Sequence, residues 1–377
     1  MSFSVDISPA VLQWARESAG YSVPDVAERC RIPENVVQGW EIGAPRPTWS
    51  ALRKLAKLYR RPVESLLRAA PPQEPPPPTD YRTLPDAKNR FSPKTRFTIR
   101  TARWLARTGR ELERQLGIER GLEMPRVRLA DDPEDVAQVV RASLGVTIAQ
   151  QSSWKTVGEA LRQWRAATEA QRIFAFQFRM PIEELRGFSL LEEERPVIVL
   201  NQADGISARI FTLFHEYAHL ASARPGVCIP EERLIGQSQQ VETFCNRVAA
   251  AFLIPRSDFE QQMPNVPSDG AINRLTRRYW VSRYVVLGRM HTLGAVSRDT
   301  YQEITRRWER REVLAPAPMT AQRGGLSRTA RCLSQRGPLF VSVVVEAARR
   351  EYIPANDAIG YLGVRVKDLR RLVSKVK

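Results

Sequence analysis

Histidine is scarce in this chain, with three residues in 377. Cysteine is nearly as scarce: Cys30, Cys228, Cys245 and Cys332 stand far apart and form no CxxC pair. Four scattered thiols do not make a disulfide framework, and they fit free thiols in a reducing cytoplasm. Long apolar runs are missing too. No stretch of about eighteen uninterrupted apolar residues occurs, so no transmembrane helix is expected. The opening MSFSVDISPAVLQW has no basic region ahead of an apolar one, so no secretory signal is expected. Acidic residues are the minority charge, 41 against 58 Lys and Arg, for a formal charge of +17. The excess points to an anionic partner, nucleic acid first, but solvated basic faces produce the same count. No internal repeat of convincing period is visible.

Proline is present and unevenly placed. The stretch APPQEPPPPTD, residues 70–80, holds six prolines. Such a run cannot be helix or central strand and reads as an extended linker. Residues 1–70 before it form an all-α bundle by pattern, with apolar residues at helical spacing in Val11-Leu12-Ala15, Val23-Val26-Ala27, Val36-Val37-Trp40 and Leu52-Leu55-Ala56-Tyr59. Pro24, Pro33 and Pro62 sit where helices can begin. After the linker, 81–150 reads as a basic helical connector. Its arginines at 96, 100, 103, 107, 110 and 114 share one helical face, either solvated or a rail for phosphates. Residues 131–170 look helical.

RIFAFQF (172–178), GFSLL (187–191) and PVIVLN (196–201) read as short strands. Helical patterns follow around 206–222 and 238–254 and again from 271 to 310. A second linker spans 313–330, and 331–377 is helical and basic. The expected fold is α+β and mainly helical. It comprises an all-α bundle over 1–70, a proline-rich linker, a mixed domain over 151–312 with a small sheet, and the helical carboxyl-terminal segment.

Two of the three histidines stand four apart in FTLFHEYAHL, residues 211–220. That spacing puts His215 and His219 on one side of a helix, with Glu216 beside them. Both rings can bind one metal ion. Zinc in such a site lowers the pKa of bound water to about 7, and a neighbouring glutamate can take its proton. The motif is short, and a structurally satisfied histidine pair has the same spacing. The flanking Phe211, Leu213, Phe214, Ala218 and Leu220 mark a largely buried helix, where ionisable groups are costly unless they bind something. A third ligand is needed. Glu242 opens VETFCNRVAAAFLIP, residues 241–255, and is the one carboxylate between Glu232 and Asp258. It reads either as that ligand or as a first-turn carboxylate favoured by the helix dipole. Asn246, one turn on, is placed to orient a ligand.

FTLFHEYAHL followed by VETFCNRVAAAFLIP resembles the ImmA/IrrE family of bacterial zinc metallopeptidases. The family pattern is an HExxH helix, then a helix of the form E-x-x-x-N-x-x-A-A, an apolar pair and a proline. The likeness covers roughly residues 150–305. It implies Zn2+ held by His215, His219 and Glu242, Glu216 as general base in gluzincin-like peptide hydrolysis, and a protein substrate that is a repressor or other regulator. Stress, mobile-element and toxin–antitoxin settings are implied with it. PVIVLN also resembles the family and is expected to border the cleft and pair with substrate. Cys245 departs from the family, where a small alanine is usual; with Cys228 it reads as a buried thiol or as a redox-sensitive neighbour of the metal. Tyr217, Tyr279, Tyr301 and His291 are the candidates for stabilising the transition state.

Near the amino terminus, SVPDVAERC and PENVVQGWEIG read as two short helices around a tight turn, the layout of a helix-turn-helix. Residues 8–67 resemble the XRE, Cro-like family, with Trp40 to Pro47 matching its W-E-x-G-x-x-x-P element. The second helix presents Glu34, Asn35 and Gln38 for base contacts, and Arg46 for phosphate. Yet residues 1–70 carry ten basic and seven acidic residues, whereas 82–120 carry eleven and four, and 319–377 twelve and four. Either DNA contact extends beyond the first module or the excess charge serves another partner, and the module itself reads as a DNA-binding unit or as a protein-docking one. The segment IPANDAIGYLGVRVKDLRRLVSK repeats a helix–glycine–helix cadence and reads as a packing helix, an oligomerisation helix or a second nucleic-acid contact. The combined expectation is a cytoplasmic, nucleoid-associated regulator without membrane contact, its oligomeric state open. An XRE-type regulator or antitoxin with a non-hydrolytic zinc site is the alternative.

Overall fold

The computed structural model describes residues 4–74, 91–118, 121, 124–192, 195–223, 227–228, 237–264, 266–314 and 327–374. Most of the proline-rich stretch and of the 313–330 linker lies outside them. Two compact units result, one from residues 1–77 with 83–101, the other from 78–82 with 102–377.

The first unit contains α1 (Pro9–Ala19), α2 (Val23–Cys30), α3 (Glu34–Ile42), α4 (Trp49–Tyr59) and a single 3-10 turn, Val63–Leu66. Local chemistry sets these bounds. The Ser22 hydroxyl accepts from the Asp25 amide while the Asp25 carboxylate accepts from the Ser22 amide, which starts α2. Arg31, left-handed at φ 56°, stops it. Pro24 lies in the first turn of α2, and Pro33 immediately precedes α3. Leu12, Val26, Val37, Trp40, Leu52 and Tyr59 form the shared core. Arg16 grips Glu41 with two bonds of 2.6 and 2.8 Å and so ties α1 to α3.

Helix α5 (Pro93–Gln115) begins in this unit. Here the arginine stripe departs from both readings of it. Arg100 donates to the carbonyls of Tyr59 and Arg60, each at 2.7 Å, and Arg96 donates to the Glu17 carbonyl at 3.2 Å. Helix ends leave carbonyls short of intrahelical partners; Arg100 supplies donors at the end of α4, and Arg96 adds one to a Glu17 carbonyl that already accepts from the Gly20 amide. Two of the six arginines therefore hold the fold together rather than facing solvent or phosphate.

The second unit takes the rest of α5, then α6 (Pro133–Leu144), α7 (Ile148–Ser153) and α8 (Val157–Ala170). Next come β1 (Phe174–Phe178), β2 (Gly187–Glu192) and β3 (Arg195–Asn201), followed by α9 (Ile206–Ala221), β4 (Val227–Cys228) and α10 (Gln237–Leu253). Helices α11 (Arg256–Gln262), α12 (Asp269–Tyr279), α13 (Arg283–Thr292) and α14 (Arg298–Leu314) precede α15 (Arg328–Arg336), α16 (Pro338–Arg349), α17 (Ala355–Leu362) and α18 (Val366–Val373). The sheet order is β1-β3-β2-β4. Strand β3 runs parallel to β1 and antiparallel to β2, and among the described residues β4 pairs antiparallel with Gly187 and Phe188.

This order corrects one expectation. PVIVLN cannot pair with an extended substrate. As β3 it is paired on both sides and every residue of it is buried, so it has no edge to offer a substrate. A continuous apolar run is what a strand buried on both faces requires. Asn201 at its end is fully buried and satisfied: it bonds Met180 through both backbone groups, and also the Leu185 carbonyl and the Ala203 amide. This knot closes the turn that launches α9.

The core of this unit packs α9 and α10 against α6, α8 and β3, with Trp164, Phe214 and Phe252 in mutual ring contact. Glu113 of α5 is completely buried between Arg172 and Arg195. Among the described residues no helix is long and apolar enough to cross a membrane.

Candidate metal centre

Helix α9 places its chemistry by periodicity. From Thr212 to Ala221 every residue is buried, so the histidines cannot reach bulk water. Gly187 of β2 lets the helix come close: a Cβ there would lie 2.5 Å from Thr212 Cγ2 and 2.8 Å from the Val199 carbonyl oxygen. Helix α10 then brings Glu242 to the same point. His215 Nε2 and His219 Nε2 each lie 3.2 Å from a Glu242 oxygen and 3.1 Å from each other. All four side chains, Glu216 included, are at most 1% exposed.

The donor set fits a zinc ion. Two imidazole nitrogens and one carboxylate are a recurrent hydrolytic ligand trio, and bonds of about 2.0–2.1 Å to a tetrahedral ion put ligand atoms about 3.3 Å apart. The two imidazole nitrogens stand 3.1 Å apart, each is 3.2 Å from a different oxygen of the Glu242 carboxylate, and one ligand atom from each residue lies within 4.8 Å of the others. Among the described residues no other three His, Cys, Asp or Glu side chains come close enough together to hold one ion. A cavity of about 590 Å3 between α6 and the α10–α11 junction, lined in part by Arg141 and Arg256, contains none of these residues.

Asn246 stands 2.8 Å from His215 Nδ1, which turns Nε2 toward the triangle. Ser189 of β2 hydrogen-bonds the Glu216 carboxyl. Sequence reasoning missed this serine; its one signal is a polar residue inside the apolar strand GFSLL. Burial pushes the Glu216 carboxyl above its usual range, against the pull of His219 and His215. Burial works against a charged His219, but Cys245 and Glu242 outweigh it and raise the ring to about 10. Glu242 is held far below the usual range, because hydrogen bonds from His215 and His219 overcome its burial.

The remaining predicted residues fall as follows. Cys245 is fully buried and its side chain touches His219, outside the ligand triangle. The Cys228 side chain lies outside the described residues. The Tyr217 hydroxyl is committed to Gln171 at 2.5 Å and that of Tyr279 to Asp258 at 2.5 Å, while His291 and Tyr301 stack on each other. None of these contacts brings them to the triangle. In the first unit Glu34, Asn35 and Gln38 are exposed along one side of α3, and Arg46 is exposed beside Asp6 at 3.2 Å.

Comparison with known families agrees with both halves. Residues 167–291 match the family model described as the IrrE N-terminal-like domain, a peptidase family, and residues 10–69 match a helix-turn-helix domain model. No curated protein matches the chain. The chain thus joins an XRE-like helix-turn-helix domain to an IrrE N-terminal-like peptidase domain, the fusion that its two motifs resemble.

Proposed function

We propose that this chain is a DNA-associated, zinc-dependent endopeptidase that cleaves a regulatory protein, a repressor or antitoxin-like partner, and so controls transcription in the cytoplasm. The observation that carries the reading is the triangle of His215, His219 and Glu242 with the Glu216 carboxyl beside it. Zinc held by those three residues would supply Lewis acidity toward a peptide carbonyl and toward water. Glu216 acts as the proton carrier: it accepts a proton from the attacking water and returns it to the leaving nitrogen. Burial raises its affinity for that proton, and Ser189 holds its rotamer. Asn246 fixes the tautomer and tilt of His215. Beyond Phe188, β2 has no strand partner on its β4 side among the described residues. An extended peptide paired there is brought past Ser189 to Glu216. Asn35 and Gln38 on α3 read base edges, with Glu34 flanking them and Arg46 reaching phosphate, so the peptidase is carried to a DNA site.

The test uses the zinc-loaded chain and candidate regulators, with cut sites mapped by mass spectrometry. Cleavage by wild type, lost in Glu216→Gln at full zinc content, supports the reading. Cleavage that persists in Glu216→Gln refutes it. The complete burial of the triangle favours a second reading, a helix-turn-helix regulator whose zinc is structural or sensory. Salt-dependent promoter binding unchanged by Glu216→Gln, with no cleavage of any regulator, would select it.

A further inference from the structure

The chain builds one helix–turn–helix geometry several times. Helix α2 ends at Cys30, a left-handed Arg31 (φ 56°) follows, then Ile32, then extended Pro33, and α3 starts at Glu34. Helix α17 ends at Leu362, a left-handed Gly363 (φ 64°) follows, then Val364, then extended Arg365, and α18 starts at Val366. The correspondence extends to the capping bond. The Ile32 amide donates to the Ala27 carbonyl at 2.9 Å, and the Val364 amide to the equivalent Ile359 carbonyl at 3.3 Å. It extends to the core as well: Val26, Cys30, Val37 and Trp40 are buried, and so are their counterparts Ala358, Leu362, Leu369 and Leu372. Helix α16, with Phe340, Val341 and Val344 fully buried, packs against both α17 and α18.

The turn alone is not a signal for nucleic acid. Trp280 and Gly145 make the same three-residue left-handed connection between α12 and α13 and between α6 and α7. In α13, however, Val286, Leu287, Arg289 and Met290 are all buried, and Arg289 is spent on Glu134 at 2.7 Å. Helix α7 has only six residues and no cation. Helix α18 differs on both counts. Lys367, Arg370 and Arg371 are exposed along one stripe, with Arg365 at its start, and none has an ion-pair partner among the described residues. Its one acid, Asp368, is turned to the buried side. Helix α3, by contrast, carries no lysine or arginine at all.

We propose that α17 and α18 form a second helix-turn-helix contact, in which α18 lies in the major groove of duplex DNA. Lys367, Arg370, Arg371 and Arg365 supply phosphate neutralisation that α3 lacks. A helix fits a major groove about 12 Å wide, and exposed guanidiniums suit both phosphate and guanine edges. The two elements divide the labour: α3 offers neutral amides for base reading, and α18 offers charge. Four of the twelve basic residues of 319–377 thereby acquire a partner.

The experiment measures binding of the full chain to a random-sequence duplex pool across a salt series, for wild type and for Lys367→Ala/Arg370→Ala/Arg371→Ala. Each lost phosphate contact flattens the slope of log affinity against log salt by about 0.9, so the triple variant should lose about 2 to 3 from it. Arg370→Lys/Arg371→Lys should keep the slope. A photo-crosslinking residue placed at Ser374 should crosslink to duplex, a readout that survives if the triple variant folds poorly. An unchanged slope and no crosslink overturn the proposal. So does binding of polyglutamate or single-stranded RNA in preference to duplex. Zinc content and cleavage are scored separately, so failure here is distinct from failure of the peptidase reading.

Discussion

Asn246 Oδ1 and His215 Nδ1 stand 2.8 Å apart, and the two residues come from different helices. One contact therefore sets both the register of α10 against α9 and the direction of the His215 lone pair. Glu242 lies one turn before Asn246, so the same register delivers the third donor.

That contact predicts the behaviour of Asn246→Ala. Partners that orient metal-bound histidines typically contribute about 10- to 100-fold in affinity. Zinc affinity, measured by competition with a chromophoric chelator, should fall within that range in Asn246→Ala and recover largely in Asn246→Asp. An unchanged affinity in the alanine variant would remove Asn246 from the site.

Gly187 predicts a packing cost. A Cβ there meets the Val199 carbonyl oxygen and the β-branched Thr212 side chain, and neither can swing away. Gly187→Ala should lower stability by about 1–3 kcal/mol. Urea unfolding at fixed zinc measures it, and the same variant should bind zinc more weakly because α9 is displaced.

Glu169 predicts a pH dependence. It is buried beside Arg165 at 3.8 Å, and burial pushes its carboxyl up to about 7 against the pull of that arginine. The folded value exceeds the unfolded one, so its contribution is fully present below about pH 4.5 and is lost as pH rises through about 7. Glu169→Gln does not titrate. The stability of wild type relative to Glu169→Gln should therefore fall between pH 5 and pH 8, by up to about 3 kcal/mol. A difference that stays flat over this range would contradict the burial argument.

Asn35 and Gln38 predict a change in specificity without a change in electrostatics. If they read adenine edges, Asn35→Ala and Gln38→Ala should each lose about 1–3 kcal/mol of discrimination at one base position. Neither side chain is charged, so the salt slope should not move. Selection from random duplexes reads the first effect, and titration in salt reads the second.

The parts legible from sequence were those with a short-range chemical cause. The four-residue histidine spacing, the lone carboxylate of an otherwise apolar helix, and the Pro24 and Pro33 starts are all local. So were the three main strands, placed to within about two residues by their β-branched and aromatic runs. Helix α10 begins at Gln237, however, so Glu242 lies beyond its first turn and the helix-dipole reading falls. The rest depended on what faces what. Helical spacing put Arg96 and Arg100 on one face but could not say that the face meets the ends of α1 and α4. A run such as PVIVLN signals burial on both faces but does not say whether both edges of the strand are paired. Ser189 was hidden because its role comes from β2 packing on α9, and two-residue β4 has no pattern to detect.

The most direct test is metal analysis of freshly purified protein, beside His215→Ala and Glu242→Ala. About one zinc per chain in wild type, absent from both variants while their helical content is retained, is the result the geometry predicts. Wild type without zinc under chelator-free conditions, or variants that keep it, would contradict the three-ligand site and the hydrolytic chemistry built on it.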